Sequence, residues 1–282
     1  MPSGWDDIGP CELPDGRLVC APHGLVICGR CTVDYSFMEA NDPEEDERIR
    51  AMSAFDSFNA LKRGTGRVFP TIFVPPSTTI KPTELFSGTM RHMAVSRYTL
   101  PHDTRTGLIH TDGACLDNGH ENPRAGWGFW HGYNTASREL LTAEARVEKK
   151  GPFGDEITQS QTSNRAELRA VIAALRFRYW PGEGFHKLVI ATDSEYVVEG
   201  CTNWSKTWVR KGWVKTSGSP VKNKDLWEAL LGEIERFDAA GMSIQFWRIP
   251  REWNTIADAA AKEAATTDEA PEQWTEMMGM NF

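Results

Sequence analysis

The spacing of apolar residues changes at about residue 105 of this chain. Beyond that point, short apolar runs separated by turn residues occur in "GLIHTDG", "AGWGFW" and "RELLTAEARVE". Runs of this kind predict three successive β-strands. Further along, "KLVIATD" has the continuous apolar character of a buried strand, and "MSIQFWRI" supplies a last strand. The second part of the chain is therefore predicted to contain five strands.

Helical spacing separates these strands. Leu168, Val171 and their successors recur every three or four residues, which predicts a helix over residues 164–178. A short helix is predicted after Ser194, a longer one over Lys224–Ala239, and an Ala-rich one in "NTIADAAAKEAA". Three strands followed by alternating helices and strands predict an α/β fold: a mixed five-stranded sheet with helices on both faces.

The first part of the chain has a different composition. Residues 1–38 are rich in Cys, Gly and Pro, and are predicted to form a small module. Residues 39–104 begin with an acidic run, could form a helix over 44–62, and continue into "FPTIFVPPSTTIKPTELF". Because this stretch has no strong period, we predict a linker or extension. The predicted domain covers 105–268, followed by a tail over 269–282.

Composition and charge restrict the class of protein. The 282 residues are 40% hydrophobic and 25% charged, with a net charge of −8, which argues against a uniformly basic nucleic-acid binder. A local basic patch remains compatible with this charge. The sequence contains no apolar run long enough to span a membrane, and its start lacks the pattern of a signal peptide. We therefore expect the protein in the cytoplasm or nucleus.

Four carboxylates lie at the predicted edges of strands and helices. Asp112 and Asp193 end two strands, Glu167 opens a helix, and Asp258 lies in the first turns of the last helix. Such positions converge on one crevice in α/β sheets, and the carboxylates would repel one another without cations. Hard oxygen ligands suit Mg²⁺ or Mn²⁺, and two ions could serve phosphodiester hydrolysis. The alternative is ordinary turn chemistry at each separate position.

The motifs "TDGACLDNG", "TSNRAEL", "IATDSEYVVEG" and "NTIADAAAKEA" resemble, in order and approximate spacing, those of the type 1 ribonuclease H family. The resemblance covers about residues 105–266. It implies a ribonuclease H fold and a two-Mg²⁺ hydrolase that cuts the RNA strand of RNA–DNA hybrids. The catalytic, metal-binding residues that it implies are Asp112, Glu167, Asp193 and Asp258.

The same resemblance implies contacts with nucleic acid. Asn118, Ser163 and Asn164 match positions that contact RNA 2′-hydroxyl groups, although Asn is usual where Ser163 stands. Thr162, together with Asn223, matches residues that hold a DNA phosphate.

Residues 204–224, "WSKTWVRKGWVKTSGSPVKNK", form a basic segment without Asp or Glu. Aromatic rings among cations suit a nucleic-acid backbone, and the family uses this segment to grip the DNA strand. The alternative is that the tryptophans belong to the core and the lysines are merely solvated. The residues predicted to bind here are Trp204, Lys206, Trp208, Arg210, Lys211, Trp213 and Lys215.

The chain departs from the family in the loop before the last helix. Most members carry a His there, whereas "IPREWNTIAD" is short and places Glu252 at the matching position. The absence of this His predicts slower turnover. Glu252 is either a candidate for product release or a solvated turn residue between Arg251 and Trp253. It also favours an alternative function, a non-catalytic or weakly active hybrid-binding or RNA-binding adaptor. Such His-less loops resemble a divergent subgroup and widen the substrates to include double-stranded RNA.

The amino-terminal segment "CAPHGLVICGRC" contains a candidate zinc site. Cys20, His23, Cys28 and Cys31 provide three thiolates and one imidazole, with Cys11 as an alternative ligand. The competing interpretation is a small apolar module with buried free thiols. A zinc-bound module would serve protein contacts or stability. Because no matched catalytic position lies there, we expect removal of residues 1–95 to leave cleavage intact.

Overall fold

The computed structural model describes residues 9–14, 16–36, 60–154, 158–267 and 269–277. The chain divides into two compact units, Met1–Ala60 and Leu61–Phe282, which are treated separately below. Most of the helix predicted over 44–62 lies outside the described residues. No helix in the described ranges is both long and apolar enough to cross a membrane.

The described residues of the first unit contain two small antiparallel hairpins. Strand β1 (Pro10–Glu12) pairs with β2 (Leu18–Cys20), and β3 (Ile27–Cys28) pairs with β4 (Val33–Asp34). Within the turn that follows β2, backbone N–H groups of residues 23 and 24 donate to the carbonyl of residue 20. This tight turn directs the chain from the end of β2 back toward β3.

The second unit contains a mixed sheet, and its described residues supply eight strands. The helices described in this unit are α1 (Pro82–Leu85), α2 (Ser163–Arg176), α3 (Glu195–Glu199), α4 (Ser205–Arg210), α5 (Lys224–Ala239) and α6 (Thr255–Thr266). A π-helical turn, Gly200–Trp204, joins α3 to α4, and 3₁₀ turns cover Trp180–Glu183 and Arg251–Trp253. The strands are β5 (Thr71–Ile72), β6 (Gly88–His92), β7 (Val95–Leu100), β8 (Asp103–Leu116), β9 (Arg124–Asn134), β10 (Leu140–Arg146), β11 (Lys187–Thr192) and β12 (Ser243–Arg248).

The sheet has a parallel part and an antiparallel part. Strands β8, β11, β12 and β5 lie side by side in parallel, while β9 and β10 continue antiparallel from β8. The hairpin β6–β7 is antiparallel and joins the sheet through β7, which pairs with both β8 and β9. The predicted mixed α/β sheet is confirmed, and β8 to β12 are the five strands expected from the pattern.

Helices cover both faces of the sheet, as predicted. Helices α2 and α5 pack on the face that carries Trp127, Phe129 and Ile190, all fully buried. Helix α6 packs on the other face of β9, where a side chain at Gly126 would lie 2.4 Å from the backbone nitrogen of Ala265. Glycines in the strand and alanines in the helix therefore allow this close approach.

Residues 61–104, predicted to be part of a linker or extension, carry three of the described strands. Strand β5 pairs with β12 at one edge of the sheet, and β6–β7 adds to it near β8. Phe86 of this stretch is completely buried against Trp247 and Val189. The sheet is consequently wider than the five strands expected, and the second unit begins at Leu61 rather than near residue 105.

The described part of the predicted tail, residues 269–277, belongs to the second unit and packs against other residues of it. The hydroxyl of Thr275 donates to Glu148 across 2.6 Å, and Arg169 donates to the same carboxylate across 2.7 Å. Both members of the Arg169–Glu148 ion pair are buried, so their charges are satisfied by each other.

Candidate active site and nucleic-acid interface

The four predicted carboxylates lie on neighbouring elements. Asp112 is in β8, and Asp193 directly follows β11. Because β8 and β11 are parallel neighbours, both residues lie toward the carboxyl end of the parallel strands. Glu167 is in the first turns of α2, and Asp258 is in the first turn of α6. A Cβ atom at Gly113 would lie 2.1 Å from the Glu167 nitrogen, so glycine is needed for α2 to reach β8.

The surroundings of these carboxylates disfavour negative charge. Burial, together with the charge of Asp193, raises the pKa of Asp112 to about 7. Burial also raises the pKa of Glu167 well above its ordinary value, with Asp112 and Asp193 adding repulsion. One carboxylate oxygen of Glu167, Oε2, is buried without a hydrogen-bond partner. Hard cations would supply the missing partner and relieve the repulsion, so the donor set fits Mg²⁺ or Mn²⁺.

Arg251 is a basic residue at this site that the sequence analysis did not single out. Its guanidinium donates to Asp258 Oδ1 across 2.9 Å and lies 3.9 Å from Asp193 Oδ2. Partial burial raises the pKa of Asp258, but the contacts with Lys262 and Arg251 outweigh this effect and lower it. In the sequence, Arg251 could have been noticed as the cation that directly precedes Glu252 in the shortened loop. Glu252 itself is exposed in the 3₁₀ turn.

Asn254 is a second site residue that was missed. It is fully buried, and its side-chain nitrogen donates to Asp193 Oδ1 across 2.8 Å and to the carbonyl of Thr111 across 3.0 Å. Its side-chain oxygen lies 3.2 Å from Nδ1 of His110, so this nitrogen carries the hydrogen. Burial lowers the pKa of His110 to about 4, which keeps the ring neutral. A polar residue that starts a helix has no sequence pattern that marks it as buried.

A groove with a volume of about 810 Å³ collects most of the predicted nucleic-acid contacts. Within it, Asn118 lies 3.4 Å from the hydroxyl of Ser163, and Thr162 caps α2 by accepting from the Arg165 nitrogen. Eight of the predicted contact residues line this groove: Asn118, Thr162, Ser163, Asn164, Trp204, Trp208, Lys215 and Asn223.

The tryptophans of the basic segment pack on one another and present one ring to solvent. The Trp208 ring lies 5.8 Å from Trp204 and 6.4 Å from Trp213, and it also meets Trp227 in the core. Trp204 is 39% exposed. Trp208 and Trp213 pack against the core, as the alternative interpretation expected, and Trp204 opens onto the groove. Binding of nucleic acid by this segment stays a prediction.

Three of the predicted cations lie outside the lining of the groove. Lys206, Arg210 and Lys211 are exposed on α4 and at its end. The ammonium of Lys206 lies 5.9 Å from the ring of Phe69. Helix α4 thus carries positive charge on an exposed surface adjoining the groove, where it can meet phosphates.

The amino-terminal cysteines and histidine converge in the first unit. The Sγ atoms of Cys20, Cys28 and Cys31 lie 3.4, 3.5 and 3.2 Å from Nδ1 of His23. All four ligand atoms are within 4.8 Å of one another. The backbone N–H of Cys31 lowers the pKa of the Cys28 thiol to about 7. Cys11, the alternative ligand, is exposed and lies outside this set.

Comparison with known proteins assigns a family to most of the second unit. The family model described as RNase H matches residues 105–266. Proteins named Ribonuclease H from Xanthomonas campestris pv. campestris and Treponema pallidum subsp. pallidum are 38% and 35% identical over 128 and 170 residues. These alignments cover 45% and 56% of this chain, and 71% and 89% of the relatives.

Two solved RNase H structures are similar to part of this chain. One is a type 1 RNase H with the type 2 active-site motif, with a TM-score of 0.38 and 26% identity over 57% of this chain and 72% of its own. The other is the RNase H domain of a foamy virus, with a TM-score of 0.39 and 20% identity over 56% of this chain and 93% of its own. With the family model matched over more than half of its residues, the chain belongs to the ribonuclease H (RNase H) family.

Proposed function

We propose that the protein is a divalent-metal-dependent endoribonuclease that hydrolyses the RNA strand of RNA–DNA hybrids. Membership of the RNase H family supports activity on hybrids as the general class of function. The observation that carries the mechanism is the meeting of Asp112, Glu167 and Asp193, whose charges raise one another's cost at the carboxyl end of the parallel strands. Their mutual repulsion makes this end a binding site for cations.

The residues that would hold Mg²⁺ or Mn²⁺ are Asp112, Glu167, Asp193 and Asp258. Bound there, such ions would activate a water for attack on the phosphodiester and stabilise the charge that develops on the leaving oxygen. The protein's own part is orientation. Asn254 fixes one oxygen of Asp193, and the rigid start of α2 holds Glu167 against β8.

The 810 Å³ groove, which includes the start of α2, supports recognition of a hybrid. Asn118, Ser163 and Asn164 bring short polar side chains to one wall, and such groups can bind the 2′-hydroxyl that distinguishes RNA from DNA. Thr162 and Asn223 lie on the same groove and suit a phosphate of the DNA strand. Contacts of Asn118, Ser163 and Asn164 with the 2′-hydroxyl would then make the protein selective for the hybrid over duplex DNA.

The exposed cations of α4, with Lys215 in the groove, could contact further phosphates along the DNA backbone. Their positive charge is local, since the whole chain is acidic. We therefore propose that the basic segment binds the DNA backbone independently of sequence, with an affinity that falls as salt concentration rises.

A non-catalytic adaptor is the competing function, and the missing loop His favours it. The test uses purified protein, Mg²⁺ or Mn²⁺, and labelled hybrid beside duplex RNA and duplex DNA. We expect cleavage of the RNA strand of the hybrid and none of duplex DNA. Asp112→Asn should abolish cleavage with hybrid binding largely retained, whereas Asp117→Asn, at an exposed turn, should cleave normally. Binding without cleavage by the unmodified protein would establish the adaptor, and cleavage of duplex RNA would widen the substrate class.

We also propose that the amino-terminal module binds one structural Zn²⁺ through Cys20, His23, Cys28 and Cys31. Sulfur and nitrogen ligands at these spacings suit tetrahedral zinc, whose bonds to S and N are about 2.3 and 2.0 Å long. Sγ to Nδ1 distances of 3.2 to 3.5 Å match the edges of such a tetrahedron. The bound ion would join the two short hairpins and so stabilise the fold of this module.

A further inference from the structure

The segment that follows β5 lies at the carboxyl end of the parallel strands, the same end that carries the carboxylates. Strand β5 is parallel to β12, as β12 is to β11 and β11 to β8. Parallel strands end at one edge, so the residues that follow β5 emerge beside those that follow β11 and β12. This segment, residues 73–80, precedes the region that matches the RNase H model, 105–266.

Both ends of this segment are fixed by packing. The backbone nitrogen of Phe73 donates to the carbonyl of Phe246 across 2.8 Å, and the Phe73 ring lies 5.1 Å from that of Trp247. Ile80 packs against the same apolar cluster at the other end. Between them the hydroxyls of Ser77 and Thr79 are 2.9 Å apart. The loop is therefore held in place at this edge before any ligand arrives.

The loop forms one wall of a cavity of about 510 Å³ next to the carboxylates. Thr78 comes from the loop, Asp193 and Arg251 from the candidate active site, and Arg248 from the end of β12. Arg248 is 54% exposed and contacts the exposed Glu195 across 2.8 Å. Two guanidinium groups and a hydroxyl provide donors for anionic oxygen, and a cavity of this volume can accept a nucleotide-sized group.

We propose that this cavity binds the sugar–phosphate backbone of the RNA strand beside the phosphodiester that is cut. The inference rests on the proposed function, because it takes the strand at Asp193 to be the cleaved one. Asp193 lines the cavity, whereas the residues suited to the DNA strand, Thr162 and Asn223, line the separate 810 Å³ groove. Arg248 binds a phosphate, and the Thr78 hydroxyl binds the same phosphate or an adjoining 2′-hydroxyl.

Arg248 is the residue on which the test depends. Arg251 also contacts Asp258, so its replacement would disturb the metal site as well. Arg248 makes an exposed ion pair with Glu195, and such pairs add little to stability. Glu195→Gln is consequently a matched control, since it removes the same ion pair and keeps the cation.

The first measurement is binding of a fluorescent hybrid in the non-cleaving Asp112→Asn background. Arg248→Gln should weaken binding on the order of fivefold and lower the salt slope by about 1, the value for one lost phosphate contact. Glu195→Gln should bind at least as tightly as its parent. Thr78→Val should weaken binding about twofold, while Thr78→Ser, which keeps the hydroxyl, should not.

The second measurement locates the contact. A single neutral methylphosphonate is moved along the RNA strand, one phosphate at a time, across the cleavage position. One substitution close to that position should weaken binding in the Asp112→Asn parent and have no further effect once Arg248→Gln is present. The absence of such coupling at every RNA phosphate would overturn the subsite, as would coupling confined to phosphates of the DNA strand.

Cleavage by the unmodified protein separates the two proposals. If it cuts hybrids but Arg248 couples to no RNA phosphate, the subsite is wrong and the proposed function stands. If it cuts no nucleic acid, the proposed function fails, and with it the assignment of the cavity to a cleaved strand.

Discussion

Asn254 joins the start of the last helix to the carboxylate that directly follows β11, because its side-chain nitrogen donates to Asp193 across 2.8 Å. The same amide meets the carbonyl of Thr111 and the ring of His110. One buried amide thus sets the relative positions of β8, β11 and α6, the elements that carry Asp112, Asp193 and Asp258. The geometry of the metal-binding set depends on it.

Asn254→Ala should therefore lower both activity and stability. Loss of a residue that orients a metal ligand commonly costs about 10- to 100-fold in metal affinity or activity. The buried partners left unsatisfied should lower the free energy of unfolding by about 1–3 kcal/mol. Single-turnover cleavage as a function of Mg²⁺ concentration, with denaturant unfolding beside it, measures both effects. A variant with the unmodified metal dependence would show that Asp193 does not need this contact.

Within the shortened loop, Arg251 should contribute more to the rate of cleavage than Glu252. Arg251→Gln removes the cation that contacts Asp258, and we expect the single-turnover rate to fall about tenfold. Glu252→Gln changes an exposed neighbour and should leave that rate within about twofold. A fall in multiple turnover alone for Glu252→Gln would support the product-release role predicted from its position. Equal losses of single-turnover rate in both variants would contradict this division.

The basic segment should dominate the salt dependence of binding. Replacing Lys206, Arg210, Lys211 and Lys215 by Ala should weaken hybrid binding and reduce the slope of log K against log salt by about 3, since fewer counterions are released. The double replacement of Arg105 and Lys187, which lie at the starts of β8 and β11, provides a control at the opposite edge of the sheet. If both variants had the unmodified slope, the segment would not be the grip.

Sequence pattern predicted the elements from β8 onward because their periods are strong and their faces apolar. Strand β7 was missed because it buries Ser96, Arg97 and Thr99, polar residues that are ordinarily expected to be exposed. The charge of Arg97 is balanced by Glu183, whose carboxylate accepts from it across 2.9 Å. A partner 86 residues away in the chain leaves no periodic signal.

The four carboxylates were identified through motifs, whereas Arg251 and Asn254 became visible only in three dimensions. Their roles depend on contacts made across elements: Arg251 reaches from the end of β12 to α6, and Asn254 reaches back to β11. Strand β5 is a two-residue strand flanked by prolines and had no recognisable pattern. Short or polar elements of this kind take their structure from the neighbours that they contact.

The amino-terminal module should contain about one zinc per chain. Changing Cys28 and Cys31 together to Ser should abolish binding, because two of the four ligands are lost. Cys11→Ser is the matched control: it removes an exposed thiol outside the cluster and should keep the metal. Metal analysis of protein purified without chelators measures this directly. Zinc that survived the double change, or that was lost with Cys11, would assign other ligands.

The position of residues 61–104 reverses the expectation that residues 1–95 can be removed without loss. Gly64 donates to the carbonyl of Glu228 on α5 across 2.7 Å, and β5 pairs with β12. Phe73 and Phe86 cover Trp247, so deletion would expose this part of the core.

A fragment of residues 61–282 should accordingly unfold cooperatively and retain cleavage, because it keeps the whole second unit. A fragment of 105–282 lacks β5, β6 and β7 together with the buried Phe86. Exposure of apolar side chains of this size costs about 1.5–3 kcal/mol each, a large fraction of the 5–15 kcal/mol that stabilises a typical domain. We expect it to melt at a much lower temperature and to lose most of its activity. Equal melting temperatures and rates for the two fragments would show that the added strands are dispensable, and the subsite walled by Thr78 would then lose its structural support.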